Sequence, residues 1–270
     1  MVSMAFTRAQ DSRKASLQVR RDETATPHIN EQSGQTVSHR LKAVVGHISA
    51  PENVPRRRCN NEIAAEKQMH IIYTLVGKQH TLTIRLQAHA LTDEYDSATK
   101  YVADFFLDGS KRYHGDLIAF RIDRGNKAWI RELCNSSAEG ATAETFRTLY
   151  TTTGKPRAFL RQYPLDKTEI IYIDSFESRG PLNGIGLSTA VLEAIHTLFG
   201  ALQGGFAFRG TVVLSPARPD TAHAARHWSA TSEFAIERVL MGLYGKAGYE
   251  VWVQSKEADS VSVMGRTIPQ

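Results

Sequence analysis

The residues from Tyr172 to His196 read Tyr-Ile-Asp-Ser-Phe-Glu-Ser-Arg-Gly-Pro-Leu-Asn-Gly-Ile-Gly-Leu-Ser-Thr-Ala-Val-Leu-Glu-Ala-Ile-His. A strand pattern runs through a glycine-rich turn straight into an amphipathic helix. Gly184 and Gly186 let the backbone take positive φ and come close to a ligand. The free N–H groups of the helix's first turn, together with its dipole, then favour an anion, and a pyrophosphate suits such a site. The turn lacks Gly-Lys-Ser/Thr, which argues against a P-loop nucleotide triphosphatase, and Thr189 stands where a dinucleotide fold has its third glycine. The same glycines also serve a plain helix start that needs only turn geometry.

About sixty residues on, Leu243-Tyr244-Gly245-Lys246-Ala247-Gly248-Tyr249-Glu250-Val251 reads as a helix end turning through Gly248 into a strand. Taken with the glycine turn, this segment resembles the GNAT-type acyl-CoA N-acyltransferases. In that family a strand leads into Arg/Gln-x-x-Gly-x-Gly/Ala and then a helix, and Leu-Tyr-x-Lys-x-Gly-Phe closes the fold. The first motif aligns on Asn183, Gly184, Ile185, Gly186, Leu187 and Ser188. Two positions depart from it: Asn183 replaces Arg or Gln, and Ser188 replaces Gly or Ala. Glu237 stands where the family's helix commonly has asparagine. The resemblance covers about 165–255 and leaves the first third of the chain untouched.

The resemblance implies acetyl-CoA as cosubstrate, an amine acceptor, and backbone N–H groups at Asn183–Ser188 around the phosphates. It implies that a strand N–H near Phe176, Glu177 and Ser178 polarises the thioester carbonyl, with that strand splayed from its neighbour to admit the pantetheine arm. It makes Tyr244 the candidate acid for the departing thiolate, since an ordinary tyrosine, with a pKa near ~10, is protonated at neutral pH. Packing at a helix end is the other reading of Tyr244. For the base, Glu169 heads the strand near where some members hold a catalytic glutamate, and Asp174 lies further along. Strand alternation puts Glu169, Ile171, Ile173 and Ser175 on one face and Ile170, Tyr172, Asp174 and Phe176 on the other. Each of these acids also has an ordinary reading as a solvated carboxylate. The stretch 215–232, with Arg218, His223, Arg226, His227 and Trp228, offers contacts for the CoA 3′-phosphate or a substrate lid. His196 reads as a helix-surface residue, and no metal constellation is visible.

The elements that must position these residues follow from patterning. Leu82, Ile84, Leu86, Ala88 and Ala90 alternate with Thr81, Thr83, Arg85, Gln87 and His89, a strand with one buried face, joined through Gly77-Lys78 to a strand at 71–76. Asp93 is placed to cap a helix running to Phe106, with Tyr95, Ala98, Tyr101, Val102 and Phe105 on one side. Leu117–Ile122 and Ala128–Leu133 read as a second hairpin about 124–127, and 144–150 as a short helix. Strands at 169–176, 206–214 and 249–254 alternate with helices at 187–202 and 232–246. The expected fold is α/β (α+β), a GNAT-like, mixed, largely antiparallel central sheet flanked by helices.

The chain has 270 residues and a formal net charge of +5. Residues 1–68 hold 11 Lys and Arg against 7 Asp and Glu, so most of the excess lies there, and Phe6 is their single aromatic residue among 23 in the chain. This stretch lacks the apolar mass to offset its ordering entropy and reads as a loose extension, with 63–67 opening a short helix. Residues 69–270 form the expected acyltransferase domain. No apolar run approaches the ~20 residues of a membrane helix, no signal-type h-region opens the chain, and Cys59 and Cys134 lack metal spacing. The expectation is an intracellular protein, cytoplasmic with a nuclear option, without a membrane partner. A tail without Trp or Tyr argues against nucleic acid. The acceptor is an amine on a small molecule or a protein, unassigned by any motif in 92–115 or 135–168. Two other uses of such a cleft stay open: lyase or decarboxylase chemistry, and non-catalytic CoA binding for regulation.

Overall fold

A computed structural model describes residues 48–49, 63–89, 98–125, 129–136, 141–167, 169–179, 182, 186–216, 233–255 and 261–269. All of them lie in one compact unit, Leu41–Gln270. The strands are β1 (Ile48–Ser49), β2 (Ile63–Leu75), β3 (Lys78–His89), β4 (Ala98–Leu107), β5 (Tyr113–Asp123), β6 (Glu169–Ser178), β7 (Thr211–Leu214), β8 (Glu250–Val253) and β9 (Val263–Thr267). The helices are α1 (Trp129–Ser136), α2 (Ala141–Leu149), α3 (Ser188–Ala201) and α4 (Glu233–Lys246). The strands form one open sheet in the order β1-β2-β3-β4-β5-β6-β7-β9-β8, antiparallel throughout except for β6 and β7. The chain is therefore a mixed α/β protein with a mostly antiparallel sheet. No described helix is long and apolar enough to cross a membrane.

The sheet buries two apolar clusters. One gathers Met69, Ile84, Ala103, Leu117, Ile171 and Val212 against Val191, Ile195, Leu198 and Phe199 of α3 and Tyr244 of α4. The other lies across the opposite face, where Phe120, Ile122, Ile170, Tyr172 and Val213 meet Trp129, Leu133, Phe146 and Leu149 of α1 and α2. The second cluster draws nothing from β2 or β3.

Several local readings are corrected. Residues 98–106 are not a helix but β4, the fourth strand of the sheet. A strand with both faces covered shows apolar residues at odd and even positions, and over ten residues that imitates helical spacing. Tyr101 and Phe105 face α3, while Ala98 faces the second cluster. The segment 129–136 is helix α1, not the return arm of a hairpin; Trp129, Ile130 and Leu133 fall on one helical side and are all buried. Residues 63–67 belong to strand β2 rather than to a helix, paired with β3 from Ile63↔His89 onward. The first hairpin is present, but its two-residue turn is Val76-Gly77, one position earlier than expected, with φ of 49° and 73°. The second of the expected late strands begins only at Thr211, after a short 3-10 turn at Gly204–Phe206.

On β3 the polar side is buried as well: Thr83, Arg85, Gln87 and His89 are all 7% exposed or less. Alternation along β6 also breaks. Ala119 pairs with Ile173 while Ile118 pairs with Ser175, so Asp174 is an extra residue in the ladder. The bulge reverses the facing of the strand beyond it, and Phe176 joins the α3 side with Ile171 and Ile173 instead of the side of Tyr172.

Candidate functional site

Strand β6 pairs with β7 only from Ile170↔Thr211 to Ile173↔Leu214. Past Ile173 it stays paired with β5, through Phe176↔Leu117, Glu177↔Asp116 and Ser178↔Gly115, while the β7 ladder has ended. The bulge at Asp174 sits where the two neighbours part. The chain then returns through Gly186, at φ +77°, into α3. Leu187 caps that helix without a side-chain hydrogen bond, and no acidic residue lies in its first turn. Among the described residues, the first turn thus has neither a side-chain cap at Leu187 nor a carboxylate of its own to compete for its N–H groups.

Between the end of β6 and the start of α3 lies a small hollow. Its walls are Phe105, Phe176, Ser178, Leu187, Ser188 and Val191, closed on one side by Leu182. Phe105 and Phe176 meet edge to face there, 6.0 Å between centroids. Four residues singled out from the sequence, Phe176, Ser178, Leu187 and Ser188, thus line one cavity. A Cβ added at Gly186 meets no atom within 4 Å, so the space over the turn is open. Asn183, Gly184, Ile185 and the stretch 217–232 lie outside the described residues.

The other described residues read from the sequence are not among those that line this hollow. Tyr244 is 7% exposed, packs edge to face on Tyr249 at 6.0 Å, and is not among the hollow's lining. Burial, with Tyr172 adding to it, pushes its pKa up to about 12. Glu169 stands at the opposite end of β6, about 23 Å from Phe176 at strand rise. Both its oxygens accept from Arg121 Nη2, at 2.6 and 2.7 Å, and Arg121 also donates to the carbonyl oxygen of Gly205. Asp174 is exposed and accepts from the Thr142 hydroxyl at 2.8 Å, in the first turn of α2. Glu177 accepts from Arg179 at 2.6 Å. His196, expected on the helix surface, is 3% exposed and shares a 2.7 Å hydrogen bond with the Tyr249 hydroxyl.

A set of charged residues across the sheet escaped the sequence patterning. Arg85 and Asp104 form a buried ion pair at 2.7 Å, their side chains 2% and 3% exposed, and Asp116 lies opposite Asp104 on β5. Arg85 was visible as the polar half of an alternating strand. Asp104 was hidden by the helical reading of 98–106. Comparison with protein-family models, curated proteins and solved structures finds no match to this chain.

Proposed function

We propose that this protein is an acyl-CoA-dependent N-acyltransferase, with acetyl-CoA as donor, that moves an acyl group directly onto an amine. The observation that carries the reading is the hollow where β6 outruns β7: it gathers Phe176, Ser178, Leu187 and Ser188 beside an uncapped helix start. The order β6-α3-β7-α4-β8-β9, with β6 parallel to β7 and β9 placed between β7 and β8, also accords with the GNAT-type resemblance. The phosphates suit the N–H groups at 186–190.

In the reaction the amine nitrogen bonds to the acyl carbon and the C–S bond breaks. The sulfur leaves as thiolate and takes a proton, and the ammonium's remaining proton is released to solvent. The chain's own part is positioning. The N–H groups of 176–178 polarise the thioester carbonyl, and the water-poor walls of Phe105 and Phe176 strengthen that interaction. Tyr244, with its pKa at about 12, serves as a hydrogen-bond donor that stays protonated.

Thermal unfolding with and without acetyl-CoA tests this. Ligand at a hundred times its Kd stabilises by about 2.7 kcal/mol, which is roughly 5–10 °C for a domain of this size. Gly186→Trp, whose side chain has open space to occupy, abolishes the shift. No shift with any acyl-CoA overturns the reading, and a shift without transfer to any amine converts it to non-catalytic CoA binding.

A further inference from the structure

Between α2 and β6 the chain builds a loop that stands out from the surface. At its tip is a short 3-10 turn, Ala158–Leu160, with Arg157 and Arg161 at its two ends. Leu160 is fully buried, while Arg157, Ala158, Phe159, Arg161 and Gln162 are all exposed. A 3-10 turn sends successive side chains a third of a turn apart, so exposure of this many neighbours makes the tip convex. Phe159 is 59% exposed and is the one aromatic ring among the exposed large apolar side chains of the described residues.

The loop is firmly held. Arg124 lies over the rings of Trp129 and Tyr150, 5.2 and 4.6 Å from their centroids, and donates to the carbonyl oxygens of Gly154, Leu165 and Lys167. Tyr163 stacks on Trp252 at 4.8 Å, and the Arg157 backbone N–H donates to the Leu149 carbonyl oxygen at 3.0 Å. A fixed backbone therefore displays Phe159 to water, at a cost in unburied apolar surface. The charge around the ring is one-sided. Residues 147–167 hold five basic side chains, Arg147, Lys155, Arg157, Arg161 and Lys167, against the single acid Asp166. All five are exposed, and none makes an ion pair among the described residues. Arg157 Nε donates to the Arg147 carbonyl oxygen at 3.0 Å, which ties the tip to α2. Residues 69–270 are close to neutral overall, so this concentration is local.

A convex apolar tip ringed by cations fits a flat anionic surface: the ring enters the apolar boundary while the cations meet headgroup phosphates. Single-stranded nucleic acid is instead held by several rings along a basic groove, whereas this loop is convex and offers one exposed ring. We propose that the loop 154–167 docks the protein reversibly on a membrane surface rich in anionic phospholipid, with Phe159 as the inserted side chain. Such a loop lies on the surface and needs no spanning segment. It joins β6 at the Glu169 end, away from the hollow at Ser178, and the proposal does not depend on the acyltransferase reading.

The test is co-sedimentation of the full chain with vesicles of phosphatidylcholine alone and of phosphatidylcholine mixed in equal parts with phosphatidylserine. The chain is expected to bind the acidic vesicles only, and to be released at about 1 M salt, where the Debye length is about 3 Å. The N-terminal stretch is basic as well, so substitutions identify the loop as the contact. Phe159→Ser lowers the partition about tenfold or more, Phe159→Trp retains it, and Arg161→Gln lowers it about fivefold. Both positions are exposed, so the three variants keep a melting temperature near that of wild type. No binding to acidic vesicles overturns the proposal. Binding that Phe159→Ser leaves unchanged also overturns it, because charge adsorption alone then accounts for the effect. Oligo-dT is titrated in parallel, and Phe159-dependent capture of it in place of vesicle binding assigns the loop to nucleic acid and overturns the membrane reading.

Discussion

His196 Nε2 lies 2.7 Å from the Tyr249 hydroxyl, a buried hydrogen bond that ties α3 to the turn between α4 and β8. Burial, with the nearby Arg266 adding to it, lowers the imidazole pKa to about 3. The folded protein therefore keeps His196 neutral across the range in which an unfolded chain, with pKa near ~6.5, takes up a proton. Below pH 6.5 the unfolded state binds more protons, so stability falls as pH drops from there toward 3. At about 1.36 kcal/mol per pH unit, His196 alone removes roughly 2 kcal/mol between pH 6.5 and 5. Urea unfolding of wild type and His196→Phe at pH 7 and 5 checks this. His114, which burial also lowers, acts in the same direction in both proteins. The expected result is a smaller pH dependence in the variant; equal dependence removes His196 from the account.

Gly115 faces Ser178 across β5 and β6 at φ +151°, and a Cβ there would stand 2.3 Å from the Glu177 carbonyl oxygen and 2.9 Å from the Phe105 ring. Any side chain must push apart the two strands that frame the hollow. Gly115→Ala is expected to lower stability by about 2 kcal/mol or more, combining backbone strain with displacement of β6. The same variant should lose the acetyl-CoA shift beyond its loss of stability. A denaturant midpoint close to wild type contradicts the close approach.

How much of this was legible in the sequence depends on which side of an element is covered. Strand β3 was plain because its apolar residues alternate, and α3 because Val191, Ile195 and Leu198 recur at helical spacing. Periodicity misled at β4, where Tyr101, Val102, Phe105 and Phe106 are apolar because both faces are buried. That one misreading concealed Asp104, and with it the buried ion pair to Arg85. The bulge at Asp174 was equally invisible: an extra residue in a ladder leaves no trace in composition, yet it decides that Phe176 reaches the hollow. Glycine spacing placed the turn into α3 correctly, because a helix start after a strand constrains residue type strongly.

Tyr244 carries a hydroxyl whose pKa is raised to about 12 in the core beside Tyr249. It stays protonated through the working pH range, so it can donate a hydrogen bond but gives no alkaline limb to a rate profile below that value. Tyr244→Phe keeps the ring and its packing, and stability should change by no more than about 1 kcal/mol. Under the proposed function the variant loses acyl transfer by about tenfold or more while the acetyl-CoA thermal shift is retained. An unaltered rate assigns Tyr244 to the core alone.

Val76 occupies the first position of a two-residue hairpin turn at φ 49° and is 88% exposed. A β-branched residue resists this conformation, whereas asparagine adopts it readily, and Asn-Gly is the preferred pair for a turn with positive φ at both positions. Gly77 already supplies the second position at φ 73°. The Val76 side chain gives up no core contact when replaced, because it stands in solvent at the tip joining β2 to β3. Val76→Asn should therefore raise stability by about 0.5–1 kcal/mol through relief of strain alone, shifting the urea midpoint upward with the slope unchanged. A midpoint that moves downward shows that the Val76-Gly77 geometry has been misassigned.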